Sequence, residues 1–386
     1  MSNVAGLTGY MEIYMRDGFK IVDVDTHLME PDYVFERYID ERYKSEAPRM
    51  GIAPESGRRT FLVEGEPFTR EKGKYPMAAP GFLEAVRKAM KRFERAAKLG
   101  FSPESRLLDM DEQGVDVQIV YPTAAGQMLG REFRDPKLLA ACCRAYNDWS
   151  ADYCSKTSDR VKWAAILPMQ DVGEAIKEAN RAAKNGAISF YVRPNPVRGR
   201  TIFHEDYMGL WAEVEKLGRP ISTHDSGSAS VESFGDRMDT HVTGHILSHP
   251  FEAMAAMAGL IWYGVIEKFP KLRVVQVEAD GGWVPYWLQR MEQHWDFSGN
   301  SEHEYLSKRP TEYFKSNFFV AFRGDEPTMK AALDIVGDSN FLWDTDYPHP
   351  DGTFPWGIGA MLKQSIPESS KRKILWDNAA RAFGFN

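Results

Sequence analysis

Three carboxylates and two imidazoles close apolar runs of this chain in a pattern that suits a metal ion. FKIVDVDTH (19–27) ends on Asp25-Thr26-His27, and RPISTHDSG (219–227) holds His224. LRVVQVEAD (272–280) carries Glu278 near its end, and SNFLWDTDYP (339–348) carries Asp346. Side chains of an extended chain repeat every two residues, so Asp25 and His27 point the same way. Carboxylate oxygens mixed with imidazole nitrogens suit zinc, manganese or iron. Each residue alone reads more readily as a capping or hydrogen-bonding group. The set carries weight because its members fall on four separate runs. Asp25, His27, His224, Glu278 and Asp346 are therefore the candidate metal ligands. Asp346 and Glu278 are also candidates to shuttle a proton.

THVTGHILSHPFEAM places His241, His245 and His249 at i, i+4 and i+8. On a helix that spacing makes one face. Pro250, however, predicts that a new helix begins there. His249 would then stand just before it, within reach of the site as a ligand or catalytic group, while His241 and His245 are weaker candidates for that role or lie in a polar loop. Arg193 and Arg323 end two further apolar runs. Either would grip a substrate carboxylate in a bidentate fork, or pair with a neighbouring acid. Tyr121, Trp283, Trp287 and Trp343 would clasp a ring, or belong to the core. Asp344 shares the parity of Asp346 and competes with it, and His349 is placed to orient Asp346.

The elements that must bring these residues together are legible as eight β-rich runs: 19–27, 115–123, 161–169, 187–195, 219–227, 272–280, 316–324 and 339–348. They are near-continuously apolar rather than alternating, as strands buried on both faces require. Helical patterns lie between them, at 135–156, 171–186, 205–218 and 251–270. Alternating strands and helices imply a parallel sheet, and eight units imply a closed (β/α)8 barrel, whose active sites lie at the C-terminal ends of the strands. Residues 28–105 are too many for one helical crossover, so they read as an inserted cap with a helix over 81–100. The basic run 87–98 is either a solvated helix face or an anion-attracting lid.

Composition narrows the class. The chain has 386 residues, 43% hydrophobic and 27% charged, as a globular protein has. Its 48 basic against 55 acidic residues make a poor wrapper of nucleic acid. Cys142, Cys143 and Cys154 lack zinc-ribbon spacing and fall on the stripe of one helix, which reads as packing. A reducing cytoplasm is the expected setting. Neither a signal peptide nor a membrane-spanning stretch is expected.

IVDVDTHLMEP, RPISTHDSG, HPFEAM, GVIEKFPKLRVVQVEADGGWVPYW and FLWDTDYPHPDG resemble the amidohydrolase-related family of the amidohydrolase superfamily, from about residue 20 to the C-terminus. That family includes aminocarboxymuconate-semialdehyde decarboxylase and related aromatic-acid decarboxylases. The resemblance implies a distorted TIM barrel with a metal at its mouth, a small-molecule substrate and a homodimer. Asp25 and His27 match the family's first-strand motif, His224 its strand-five ligand, and Asp346 the strand-eight acid that binds metal and assists proton transfer. Glu278 departs from it, since the decarboxylases usually carry a catalytic His there. The fourth run, AISFYVRPNP, has no Lys, so it supplies no carbamate to bridge two metals.

Three readings follow. The first is a metal-dependent hydrolase or decarboxylase using zinc, manganese or iron on an aromatic or carboxylated substrate. The second is a di-iron monooxygenase, because a carboxylate in the strand-six place can bridge two metals where an imidazole cannot. The third is a binding module that kept the barrel and lost the chemistry.

Overall fold

All eight apolar runs form strands. In a computed structural model they are β1 (Val22–Leu28), β5 (Val117–Pro122), β6 (Val161–Ile166), β7 (Ser189–Val192), β8 (Ile221–Thr223), β9 (Val274–Gln276), β10 (Phe318–Arg323) and β11 (Phe341–Asp344). The structure describes residues 18–54, 57, 59–68, 80–225, 232–298, 301 and 304–385. The expectation about a leader concerns residues 1–17, which lie outside the described set, as do parts of 28–105 and of 219–227. The strands pair in parallel in the order β1-β5-β6-β7-β8-β9-β10-β11. Nearly every residue on them is buried, because barrel side chains face inward and helices cover the outside. Two-sided burial is why the runs lack polar alternation.

The barrel closes between β1 and β11. Thr26 bridges in parallel to Tyr347. His27 N donates to Tyr347 O at 2.6 Å and Asp346 N donates to Asp25 O at 3.0 Å. Below them the buried Asp23 carboxylate accepts Thr345 N at 3.0 Å and the Thr345 hydroxyl. The closing seam thus sets Asp25, His27 and Asp346 side by side, though their positions in the chain are far apart.

The helices start and stop where local chemistry directs. Asp135 caps Pro136–Cys154 by accepting Lys137 N at 2.8 Å, and Asp171 caps Val172–Lys184 by accepting Glu174 N at 3.0 Å. The three cysteines are buried and free, as packing residues would be. One boundary differs from expectation. Instead of a helix beginning at Pro250, a single helix runs His241–Trp262 with Pro250 inside it. Thr240 sets the earlier start through reciprocal bonds with Thr243. Proline lacks the N–H that would meet Ile246 O, and Ile246 lies at the exposed face of the helix.

Within 28–105 lie a helix (Val34–Tyr38), a small antiparallel sheet of β2 (Arg49–Ile52), β3 (Arg59–Val63) and β4 (Glu66–Pro67), and helices Pro80–Met90 and Glu94–Lys98. The basic run is not uniform. Arg87 and Lys98 pair with Glu84 and Glu94 at the surface. Arg92 instead donates to the carbonyls of His349, Pro350 and Gly352 at 3.0, 3.0 and 2.8 Å. Phe93 stacks on Phe354, centroids 5.4 Å apart. These contacts pin the segment to the loop after β11. Among the described residues no helix is long and apolar enough to cross a membrane.

Candidate metal centre

Asp25 and His27 end β1, His224 follows β8, and Glu278 and Asp346 each stand two residues beyond the ends of β9 and β11. Both of the latter have left-handed backbones, φ +52° for Glu278 and +54° for Asp346. That conformation is costly for a residue with a side chain and persists where the surroundings impose it, often at functional sites. It turns each carboxylate into the mouth. The ligand-type atoms of Asp25, His27, His224 and Glu278 lie within 4.8 Å of one another, and so do those of His27, Glu278, Asp346 and His349.

The polar atoms here fit a cation. Both Asp25 carboxylate oxygens are fully buried and accept no well-formed hydrogen bond. Their nearest imidazole nitrogens are His27 Nε2 at 3.5 Å and His224 Nε2 at 3.8 Å. A buried carboxylate without a donor is costly unless a positive ion meets it. His27 Nδ1 lies 2.9 Å from Pro122 O, which can only accept, so Nδ1 carries the proton and Nε2 presents its lone pair to the site. His27 Nε2 and His224 Nε2 face each other at 3.2 Å, an arrangement that a shared proton or a cation relieves.

The electrostatics agree. Burial pushes the Asp25 carboxyl up, against the pull of His224 and His27. Burial would lower both His27 and His224. For His27, Asp25 and Asp346 outweigh it, for His224, Glu278 and Asp25 do, and both imidazoles are raised. Glu278 is held well below the usual carboxylate range: burial opposes this, and the imidazoles of His249, His224 and His245 outweigh it. Nitrogen and oxygen donors of this kind suit a divalent transition ion.

A family model described as Amidohydrolase matches residues 22–385. The chain belongs to the amidohydrolase family. The 2-amino-3-carboxymuconate-6-semialdehyde decarboxylase of Dictyostelium discoideum is 23% identical over 287 residues, covering 74% of this amidohydrolase and 77% of that protein. The gamma-resorcylate decarboxylase of Polaromonas sp. is 26% identical over 315 residues, covering 74% and 93%. A 5-carboxyvanillate decarboxylase from Novosphingobium aromaticivorans, solved with manganese and 4-hydroxy-3-methoxy-5-nitrobenzoic acid, superposes with a TM-score of 0.68 at 20% identity over 96% of this chain and 97% of that one. This amidohydrolase is thus a metal-dependent enzyme of the hydrolase and carboxy-lyase class that its motifs imply. The di-iron oxygenase and the inactive binding module find no support among the relatives.

Within the amidohydrolase site the remaining expectations separate. Asp346, not Asp344, enters the cluster, with Oδ1 3.3 Å from His27 Nε2. Asp344 is buried, its carboxyl pushed well up by burial and by nearby acids. His349 Nδ1 lies 2.7 Å from Asp346 Oδ1, as an orienting partner would. Arg193 is not open to a substrate carboxylate. It is 2% exposed and paired with the equally buried Asp225, and Gly126 O lies 3.4 Å from its Nη1. Arg323 keeps a half-exposed guanidinium beside Asp325 at 3.4 Å. The Tyr121 ring sits 6.4 Å from His27 and 6.0 Å from His224, but its hydroxyl is bound to Ser222 Oγ at 2.9 Å. Trp283 is half-buried and its indole N–H meets Ala279 O at 2.9 Å. Trp287 caps Met254 O in the same way at 2.9 Å, and Trp343 is wholly in the core.

His249 reaches the site, with Nε2 3.7 Å from Glu278 Oε1. It does so from inside the helix rather than ahead of it. His245, the weaker candidate, comes with it at 3.6 Å and lies on the helix rather than in a loop. The i, i+4 spacing already carried that signal, and the reading of Pro250 as a helix start obscured it.

Proposed function

We propose that this amidohydrolase removes CO2 from a small aromatic carboxylate, using a divalent ion held by Asp25, His27, His224 and Asp346 with Glu278 beside them. The buried, donorless Asp25 carboxylate at the barrel mouth carries the reading, supported by two curated relatives that are decarboxylases. Manganese is the first candidate for the ion, since the 5-carboxyvanillate decarboxylase of the same fold was solved with it. When bound, such an ion supplies Lewis acidity toward a substrate oxygen.

The chain's own residues do the rest. Loss of CO2 leaves a ring carbon that must gain one proton per turnover. His349, one-fifth exposed and 2.7 Å from Asp346, brings that proton from solvent to Asp346, which passes it to the ring. Arg323, half-exposed at the end of β10, anchors an anionic substituent. Tyr121 forms the apolar floor beneath His27 and His224.

The test is a panel assay on manganese-loaded protein. It pairs 2,6-dihydroxybenzoate and 5-carboxyvanillate with amide and lactone controls, following CO2 release and ring absorbance. Decarboxylation of a panel acid is the expected result. Turnover confined to the amides or lactones would sink the proposal.

A further inference from the structure

Glu278 divides its two oxygens between two sets of imidazoles. Oε2 lies 2.8 Å from His224 Nε2, within the centre described above. Oε1 faces the helix His241–Trp262, 3.6 Å from His245 Nε2 and 3.7 Å from His249 Nε2. The His245 and His249 rings are 4.3 Å apart, and the ligand atoms of His245, His249 and Glu278 all lie within 4.8 Å of one another.

We propose that His245, His249 and Glu278 form a second divalent-cation site, with Glu278 as the carboxylate shared between two ions. The inference rests on the metal-centre reading above and deepens it.

His249 argues for a ligand. It is 6% exposed, and neither of its ring nitrogens has a hydrogen-bond partner. A histidine buried for packing alone would satisfy at least one of them. Two histidines four residues apart on one helix face are a spacing that binds zinc-like ions. Asp351, with Oδ2 3.9 Å from His245 Nε2, is near enough to add an oxygen. Charge balance points the same way. Asp25, Glu278 and Asp346 bring three negative charges, so one divalent ion leaves the mouth negative toward an anionic substrate. A second ion reverses that sign. The site calls for a borderline divalent ion such as Zn2+ or Mn2+, because its donors are imidazole and carboxylate.

The experiment is metal analysis of the full chain dialysed against excess Mn2+ and then desalted, for wild type, His249→Ala and His245→Gln. Electron paramagnetic resonance of the same samples follows. The expected result is about two ions per wild-type chain with a spin-coupled spectrum, and about one with an isolated Mn2+ spectrum in each variant. His245→Gln changes a side chain that is one-third exposed, so it serves if His249→Ala does not fold. One ion in wild type and variants alike overturns this proposal and leaves the first centre standing. No ion in the wild type overturns both.

Discussion

The His349 imidazole lies stacked on that of His27, ring centroids 3.9 Å apart and planes 28° from parallel. The stack fixes His349 where its Nδ1 meets Asp346, while its Nε2 lies 3.4 Å from Thr123 Oγ1 at the mouth. It is thus placed to carry a proton without being the buried end of the cluster. His349→Ala is expected to lower kcat by roughly 10²- to 10⁴-fold, the usual worth of a positioned acid–base group. Metal content should be retained and KM little moved. An unchanged pH–rate profile in the variant would remove His349 from the proton path.

Asp25 makes no strong hydrogen bond and has burial against it, so its carboxylate needs a cation. Asp25→Asn keeps the shape and removes the charge. Metal affinity should fall by more than the roughly 10- to 100-fold that outlying partners of a ligand are worth. The measurement is competition with a chelator of known affinity. The apo variant should be at least as stable to heat as the apo wild type, because it no longer buries an uncompensated charge.

The strands were legible because each of the eight is buried on both faces, which forces apolar runs. Their polar ends stood out for the same reason: Asp25, His27, His224, Glu278 and Asp346 fall at or near the ends of largely apolar runs. Other features depend on tertiary contacts. Pro250 favours a helix start locally, yet Thr240 and packing of the long helix carry the start back to His241. The left-handed turn at Asp346 turns that acid, rather than Asp344, into the site, and parity along a strand is blind to it. Arg193 read either as a substrate anchor or as half of an ion pair, because its partner Asp225, on the next strand's end, becomes a neighbour only once β7 and β8 pair.

Arg92 ties the segment after β1 to the loop that carries His349, through three backbone carbonyls. Its guanidinium also lies over the rings of Phe93 and Trp356, at 4.8 and 5.0 Å. Arg92→Ala should cost about 1–3 kcal/mol, the scale for losing a charged donor from partly buried acceptors. Because the lost contacts bear on residues 349–352, KM should rise along with the fall in thermal stability. A variant that melts earlier with unaltered KM would separate this anchor from the site.

Glu252 gives a pH test that involves none of the proposed ligands. It lies on the helix His241–Trp262, is buried, and accepts Phe234 N at 2.9 Å. Burial pushes its carboxyl up to about 7, with Asp225 adding to the effect and the Phe234 N–H opposing it. The folded protein therefore holds this proton more tightly than the unfolded chain does. A group raised in this way contributes stability that is full below its unfolded pKa, near 4.3 for a glutamate. That contribution is lost as pH climbs through about 7. Glu252→Gln stays neutral at every pH and still accepts from Phe234 N. Thermal melts at pH 5 and pH 8 should thus show the variant close to wild type at the lower pH. At the higher pH, where the wild type must bury a carboxylate, the variant should melt later. Equal offsets at the two values would mean that Glu252 is ionised in the folded protein throughout.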